Sequence, residues 1–419
     1  MKKIKVGIFG AGRGTDLAEA LILLNVEIVA ICDNHKERRA EAIKRLNKQI
    51  AEYDNFDKFI EHNMDAVVLA NNFYQHAPYA IKCFKKNIHV ISECISNGTM
   101  GEGVALVRAF EQSKSIYMLA ENYPQMVFNL EMKRVADSGN LGKILYAEGE
   151  YNHPNSVWDT NFTQTYKFYP KHWRHFLPRT YYITHSLGPI MHVTGATPKR
   201  VTAFAMFEPV TDDVPTAAYN ADNAANITTL NDDGSVFRVT ASSNFGAHHN
   251  SYRICGTKGQ IENLRGMDNQ IMLRYNEWDV PDGEEIQKLY TPSWNDADEH
   301  LIQKSGHGGA DYLTMRLFVD CIKEGKQPPH PFDIYSATVM SSVGLLGHRS
   351  ILNGGKPYDI PNFKIEADRK LYENDFLSPF WGDDGSEPTL PCCSHPNYKP
   401  TEKQMELYFK ELKKQIPKQ

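Results

Sequence analysis

The sequence has few of the features that mark membrane-spanning, exported or nucleic-acid-binding proteins. No apolar run approaches the roughly 18 residues that a bilayer-spanning helix needs. The first residues, MKKIKVGIFGAG, pass directly into a strand-like run and a glycine turn, so they do not read as a signal peptide. A formal net charge of −5 over 419 residues gives no basic footprint for DNA or RNA. We therefore expect a cytoplasmic protein with neither a nucleic-acid nor a membrane partner.

Patterns typical of metal sites and disulfide frameworks are also missing. The seven cysteines are scattered without a C-x-x-C pair, which predicts free, buried thiols. The sixteen histidines include no H-E-x-x-H motif, so we predict no catalytic metal. The length instead favours two domains of ordinary globular composition, with 41% hydrophobic and 23% charged residues.

The first 120 or so residues alternate strand-like and helix-like runs, as in an α/β protein with a doubly wound parallel sheet. Helices and strands can be separated by their apolar periods. Strands are predicted at Ile4–Phe9, Val26–Ile31, Ala66–Leu69, Ile88–Ile91 and Ile116–Leu119, and helices at Asp16–Leu24, Lys36–Ile50 and Ala77–Lys86.

From about Leu145 the pattern changes to short strands of a meander-like, open and mostly antiparallel sheet in a second α/β domain. These strands are predicted at Leu145–Tyr151, Val201–Phe207, Ala225–Leu230, Val236–Ser242, Ser251–Cys255 and Gln260–Asn263, with helices at Gly308–Glu324 and Asp333–Leu352. A tail rich in Pro, Gly and Asp ends in a charged helix, and we expect it to form an arm on a neighbouring subunit. The predicted units are 1–123, 124–375 and 376–419.

A glycine-rich loop between the first strand and the first helix carries the clearest chemical signal. In Gly10-Ala-Gly12-Arg13-Gly14-Thr15, one glycine allows a sharp turn and another allows a pyrophosphate to approach the helix N-terminus. The pattern G-x-G-x-x-G, counted from Gly10, requires its third glycine at position 15. The chain has Thr15 there and a glycine one residue earlier, at Gly14. Asp33 follows the second strand, where a carboxylate binds ribose hydroxyls and repels a 2′-phosphate. The loop and Asp33 together predict NAD as cofactor.

With this loop and the open sheet that follows, the chain resembles the Gfo/Idh/MocA family of oxidoreductases. Within it, the chain is similar to glycoside hydrolase family 109, the NAD-dependent α-N-acetylgalactosaminidase group. The similarity extends to about Phe363. The matching segments are Gly12–Thr15, Glu121-Asn122-Tyr123, Tyr151-Asn-His153, Trp173-Arg174, Tyr182-Ile-Thr184-His185-Ser-Leu-Gly188-Pro189, Gly256-Thr-Lys-Gly259 and Gly306-His307-Gly-Gly309-Ala-Asp311.

One departure from the broad family supports the narrower one. Typical family dehydrogenases carry Glu-Lys-Pro after the fourth strand, and its lysine serves in catalysis. This chain has Ser92-Glu93-Cys94-Ile95 there, without a lysine. The glycosidase-like members also lack the lysine. The Asp-xxx-His pair of the dehydrogenases is not intact around residues 185–192 either.

The resemblance implies cleavage of a glycosidic bond through transient oxidation at C3 of the sugar. Such a site needs a base for C2–H and donors for the developing enolate. Tyr182 and His185 lie three residues apart and can share one helix face. We expect His185 to be the C2 base, with Tyr182 positioning or deprotonating a sugar hydroxyl. Tyr151 and Arg174 are predicted to complete the catalytic set.

The remaining predicted contacts come from the glycine loop and Asp33, from positions at the ends of strands, and from the same resemblance. The cofactor set is Gly10, Gly12, Arg13, Gly14, Thr15, Asp33, Phe73, His76, Glu93 and Asn122. The substrate set is Glu121, His153, Thr184 and His249. His307 is open between chemistry and helix-start geometry.

Other functions stay open at this point. A conventional NAD-dependent sugar or inositol dehydrogenase, or a 3-keto-glycoside-forming enzyme, would release its reduced cofactor. A non-catalytic sensor would only bind NAD and a sugar. Family members commonly associate through the open sheet face, so we expect a homo-oligomer, either a dimer or a tetramer.

Overall fold

The computed structural model describes residues 3–154, 172–210 and 221–415. Its first unit is a six-stranded sheet in the order β3-β2-β1-β4-β5-β6. All five pairings are parallel. The strands are β1 (Lys5–Phe9), β2 (Glu27–Cys32), β3 (Ala51–Tyr53), β4 (Ala66–Leu69), β5 (His89–Ser92) and β6 (Tyr117–Leu119). The helices are α1 (Arg13–Leu23), α2 (Lys36–Leu46), α3 (Phe56–Phe59), α4 (His76–Lys85) and α5 (Met100–Glu111).

The second unit is a nine-stranded sheet in the order β14-β13-β12-β11-β7-β10-β9-β8-β15. Its strands are β7 (Ile144–Asn152), β8 (Pro198–Met206), β9 (Ala224–Asn231), β10 (Val236–Ser243), β11 (His249–Gly256), β12 (Gly259–Leu264), β13 (Met267–Tyr275), β14 (Gln287–Tyr290) and β15 (Tyr358–Asp359). The helices after β6 are α6 (Val127–Asp137), α7 (Thr184–Thr194), α8 (Glu299–Ile302), α9 (Ala310–Glu324), α10 (Ile334–Leu352), α11 (Glu366–Lys370) and α12 (Glu402–Gln415).

The predicted fold class is confirmed, but the second sheet is not a simple meander. Strand β7 lies in its centre, parallel to β10 on one side and antiparallel to β11 on the other. Apolar alternation identifies a strand and its buried face, but it does not specify which strand pairs with it. The central position of β7 places its carboxyl end, with Tyr151, beside the start of β11.

Helix α7 lies directly on one face of the central strand β7. A Cβ atom at Gly149 would come within 2.0 Å of the Ser186 carbonyl oxygen, so only glycine permits this approach. The opposite face carries Glu148, which accepts hydrogen bonds from Tyr146 and Arg253. Association of subunits through that face stays a prediction.

Helix α10 connects the cores of the two units. It is buried along most of its length, and its Ser341 hydroxyl lies 2.9 Å from the Ser96 hydroxyl of the first unit. Among residues 3–154, 172–210 and 221–415, the structure contains no helix with both the length and the apolar character needed to span a bilayer.

The C-terminal strap, residues 376–415, lies on its own chain in the structure. Phe380 stacks on Tyr74 of the first unit, with 4.3 Å between ring centroids. The Ser394 hydroxyl donates to Asp222 of the second unit at 2.5 Å. The strap therefore contacts both units of the same molecule, and a role as an arm between subunits stays a prediction.

Candidate active site

The glycine loop has the shape that a dinucleotide requires. Gly10 has φ +100°, and a Cβ there would lie 2.2 Å from the Ala70 carbonyl oxygen. Apart from Gly12 itself, its chain neighbours and the adjoining backbone, no described atom lies within 4 Å of the Cβ position at Gly12, so this side of the loop has room for a pyrophosphate. A Cβ at Gly14 would lie 2.6 Å from the Ile8 side chain. Gly14 therefore takes the helix-packing role of the third glycine, while the Thr15 hydroxyl donates back to the Ala11 carbonyl at 2.6 Å.

Asp33 braces this loop from the end of β2. Its carboxylate accepts hydrogen bonds from the backbone amides of Ala11, at 2.9 Å, and His35, at 2.8 Å. The side chain is 7% exposed, beside the position that the ribose occupies in this type of fold. An acidic group there fits NAD, as the sequence predicted.

A network of polar side chains joins the glycine loop to the ends of β5 and β6 and to the start of α9. Arg13 donates to Glu93 at 2.9 Å and to both carboxylate oxygens of Asp311, at 2.8 and 2.6 Å. Asn122 donates to Asp311 at 2.8 Å, and the His307 Nδ1 atom lies 3.0 Å from it. Burial raises the pKa of the Asp311 carboxyl, but the hydrogen bonds from Arg13 and His307 outweigh it and hold that pKa well below its usual range.

Beyond this network, His185 and Glu121 form a buried pair. The His185 Nδ1 atom lies 2.9 Å from each Glu121 carboxylate oxygen. Glu121 is 1% exposed and also accepts from the Tyr123 amide at 3.1 Å. Burial raises the pKa of Glu121, but the His185 imidazole outweighs burial, so that pKa is lowered. Glu121 therefore holds the His185 imidazole in one orientation, and direct contact between Glu121 and the substrate stays a prediction.

Cys94 occupies the position of the missing lysine. Burial, reinforced by Glu121 and Glu93, raises the pKa of its thiol well above the usual value. The protonated thiol donates to Glu121 at 3.2 Å. Cys94, Glu121 and His185 also bring possible metal-ligand atoms within 4.8 Å of one another. The absence of a catalytic metal stays a prediction.

A series of stacked rings lies beside His185, where the two units meet. Phe73 stacks between Trp173, at 5.2 Å, and Tyr182, at 5.3 Å. The series continues from Tyr182 to Tyr151, at 5.8 Å, and from Tyr151 to His153, at 5.5 Å. Residues from both units thus form one continuous series of stacked rings.

Three of the predicted catalytic side chains lie close together at this series of stacked rings. The rings of Tyr151 and Tyr182 lie 4.9 and 5.2 Å from the His185 ring. Burial raises the pKa of both tyrosines well above the usual value, so their hydroxyls stay protonated at neutral pH. The Arg174 guanidinium lies 4.5 Å above the Trp173 ring, and its charge opposes the rise in both tyrosine pKa values.

The backbone of α7 is held at His185 by a residue that the sequence did not identify. Pro189 lies inside this helix and has no amide hydrogen to donate to the carbonyl four residues earlier. That carbonyl belongs to His185, and it accepts the Tyr252 hydroxyl at 2.6 Å. On its other side, the His185 ring stacks on Tyr123 at 4.1 Å. A proline four residues after His185 is a signal that could have led to such a donor.

Three predicted residues lie apart from this cluster or are covered. His249 lies 3.2 Å from Glu150, while its neighbour His248 contacts His153 at 2.9 Å. The structure does not bring His249 to the cluster, because adjacent strand residues point to opposite faces. His76 is 1% exposed and bonds the Ile95 carbonyl at 2.8 Å. Thr184 is 1% exposed at the start of α7.

Comparison with known proteins identifies the family. Residues 4–121 match the model of the oxidoreductase family with an NAD-binding Rossmann fold, and residues 129–262 match the GFO/IDH/MocA C-terminal domain. The chain belongs to the Gfo/Idh/MocA family of oxidoreductases and is an enzyme with an NAD-binding Rossmann domain. Within that family it is similar to the glycosyl hydrolase 109 group, whose C-terminal domain model matches residues 211–367. The predicted family and cofactor are confirmed.

Individual relatives carry two kinds of name. Glycosyl hydrolase family 109 protein 1 of Bacteroides fragilis is 25% identical over 415 residues, covering 88% of this chain and 87% of the relative. Levoglucosan dehydrogenase, solved with NADH and L-sorbose, has a TM-score of 0.70 at 18% identity, covering 86% of this chain and 100% of that one. Myo-inositol 2-dehydrogenase of Lactobacillus plantarum has a TM-score of 0.64 at 17% identity, with the same coverages of 86% and 100%. At these identities the solved structures show the shared fold alone.

Proposed function

We propose that this enzyme is an NAD-dependent glycosidase, N-acetylgalactosaminidase-like, that cleaves its substrate through transient oxidation of the sugar. The observation that carries the proposal is the buried Glu121–His185 pair, at 2.9 Å, next to a cysteine in place of the dehydrogenase lysine. A carboxylate that holds one imidazole nitrogen leaves the other nitrogen available as a base. The name glycosyl hydrolase, carried by the family 109 relatives, supports cleavage of a glycosidic bond.

The reaction balances as a hydrolysis. The glycine loop and Asp33 would hold NAD, which would supply reversible hydride transfer at C3 of the sugar. The C3 hydroxyl proton would pass to water and return when the hydride returns. The resulting ketone acidifies the C2 proton, which His185 removes through Nε2 because Nδ1 bonds Glu121. The electron pair from C2–H forms the C1–C2 double bond as the C1–O bond breaks and the aglycone leaves. Water then adds its hydroxyl at C1 and its remaining proton neutralises the departed aglycone oxygen, while the proton on His185 returns to C2.

The surrounding side chains stabilise charge on the sugar oxygens. The high pKa values of Tyr151 and Tyr182 make their hydroxyls donors to the developing enolate at neutral pH. Between positioning and deprotonating a sugar hydroxyl, this favours positioning for Tyr182. Arg174, beside both rings, supplies fixed N–H groups and positive charge.

An NAD-dependent sugar dehydrogenase is the second candidate, because residues 4–121 and 129–262 match models of an oxidoreductase family. The two reactions share hydride removal and differ in whether the hydride returns to the sugar. The deciding measurement is turnover of p-nitrophenyl α- and β-glycosides, including N-acetylgalactosaminides, with and without added NAD. Nitrophenol released over many turnovers without net NADH is the expected result. Stoichiometric NADH without nitrophenol would favour the dehydrogenase and contradict the proposal.

The role of His185 can be separated from cofactor binding. His185→Ala removes the base, so we expect turnover to fall at least about 100-fold, within the range for lost general-base catalysis. NAD bound per protein should stay at the wild-type level. Full activity in this variant would reject His185 as the C2 base.

A further inference from the structure

A second histidine stands close to the proposed reaction centre without a part in the mechanism above. The side chain of His307 is 38% exposed. Its ring centroid lies 6.1 Å from that of Tyr123, which stacks on His185 at 4.1 Å. The rings of His307 and of the proposed base, His185, thus both lie beside the Tyr123 ring.

Asp311 fixes the imidazole of His307. Its carboxylate is 2% exposed and lies 3.0 Å from the His307 Nδ1 atom. The same carboxylate accepts from Arg13 of the glycine loop and from Asn122 after β6. The His307–Asp311 pair is therefore tied to two elements that face the cofactor site. With Nδ1 donating to Asp311, Nε2 is the hydrogen-bond acceptor of the ring.

The backbone at His307 is a poor place for a bulky side chain. His307 has φ +52°, and Gly308 and Gly309 follow at +60° and +98°. A residue other than glycine or asparagine pays about 1 kcal/mol in the left-handed region. Strain of this kind concentrates where a side chain serves a function. Asparagine or glycine at position 307 would adopt this positive φ with less conformational strain. The presence of histidine therefore suggests that its imidazole has a function.

We propose that His307 is a further ligand-contacting residue that hydrogen-bonds a hydroxyl of a sugar ring, with Asp311 as its positioning residue. Either of two rings would supply such a hydroxyl: the ribose at the nicotinamide end of NAD, or the substrate sugar. The proposal deepens the proposed function and rests on it only where the substrate sugar is the source.

The test uses two substitutions at 307 that keep the loop relaxed. His307→Gly removes the imidazole and suits a positive φ, and His307→Asn suits the same φ while keeping a hydrogen-bonding side chain. His300→Ala is the matched control, because His300 is an exposed histidine nearby in sequence. For each protein we would measure the melting temperature, the NAD dissociation constant of the cofactor-free form, and KM and kcat for the best glycoside.

One lost hydrogen bond predicts a change of about 3- to 10-fold in His307→Gly, with partial recovery in His307→Asn. Weaker NAD binding would identify the ribose as the source. Unchanged NAD binding with a raised KM would identify the substrate sugar. If both quantities stayed within twofold of wild type at an unchanged melting temperature, the inference would be overturned. Weaker NAD binding in a protein whose wild type cleaves no glycoside would support this inference and reject the glycosidase.

Discussion

At the scale of single residues, the ionised state of Glu121 determines what His185 can do. The carboxylate is buried, and only a positive or polarised partner makes its charge tolerable there. The imidazole at 2.9 Å supplies that partner, and the lowered pKa of Glu121 keeps the carboxylate charged into mildly acid solution. In the proposed reaction His185 takes a proton from carbon, and the new positive charge would form next to this negative one.

Glu121→Gln tests this pairing. The amide is neutral, so it stabilises the imidazolium less, and we expect kcat to fall about 10- to 100-fold with a smaller change in KM. Glu150→Gln is the matched control, since Glu150 also lies beside a histidine, His249, but on the other face of the sheet. Steady-state kinetics on both variants provide the comparison. Wild-type kcat in Glu121→Gln would show that the pair is structural only.

At the scale of elements, helix α7 is held at His185 by a hydrogen bond from Tyr252 that Pro189 makes possible. Because the proline has no N–H, the His185 carbonyl is left for Tyr252, 2.6 Å away. Tyr252→Phe leaves that carbonyl buried and without this hydrogen bond, which should lower the free energy of unfolding by about 1–3 kcal/mol. We expect lower stability and a lower kcat.

A double-mutant cycle separates this contact from general damage. In Pro189→Ala the amide of residue 189 can donate to the His185 carbonyl. Tyr252→Phe should therefore cost less stability in that background than in the wild type, by about 1 kcal/mol. Urea unfolding of the four proteins measures the difference. Equal losses in both backgrounds would mean that the hydroxyl does not act through this carbonyl.

Helix α5 makes a pH-dependent contribution to stability. Its capping box uses Glu102, which accepts from the amides of Gly98 and Thr99. Burial raises the pKa of Glu102 to about 7. Between the unfolded value of about 4.3 and this folded value, the folded state binds more protons, so stability falls as pH rises.

Glu102→Gln removes this titration and keeps a residue that suits a capping box. We expect the variant to gain on the order of 1 kcal/mol over wild type at pH 8 and to lose that advantage near pH 4. Glu37→Gln, an exposed glutamate in the first turn of α2, is the control. Urea unfolding at several pH values checks the slope. A difference that does not vary with pH would contradict the raised pKa.

At the scale of the whole molecule, the C-terminal strap belongs to the folded unit. Phe380 is 4% exposed against Tyr74 of the first unit, and Cys393 is 2% exposed near Asp222 of the second. Phe380→Ala should therefore cost about 3–5 kcal/mol, as for other buried aromatic residues. Leu377→Ala, at a residue that is 41% exposed in the same strap, should cost well under half of that. Equal unfolding midpoints for both variants would show that the strap is separate from the cooperative core.

Local patterns identified most elements before the structure was known. Apolar periodicity located five strands of the first sheet, but it missed β3, whose three residues carry the charged Glu52. It also missed β13, β14 and β15, where polar and exposed positions weaken the alternation. These elements are stabilised by neighbouring strands more than by their own residues.

The sequence by itself determined the glycine loop and the acidic residue after β2, because each depends on chemistry carried in a short stretch of chain. The candidate residues Tyr151, Tyr182 and His185 were predicted from short segments that match the family. The tertiary structure alone decided which groups meet. Arg13 and Asp311 are 298 positions apart, and Glu121 and His185 are 64 apart, yet both pairs are in hydrogen-bond contact. Pairings over such distances depend on how two sheets and the helix between them pack, and no periodicity in the sequence encodes that packing.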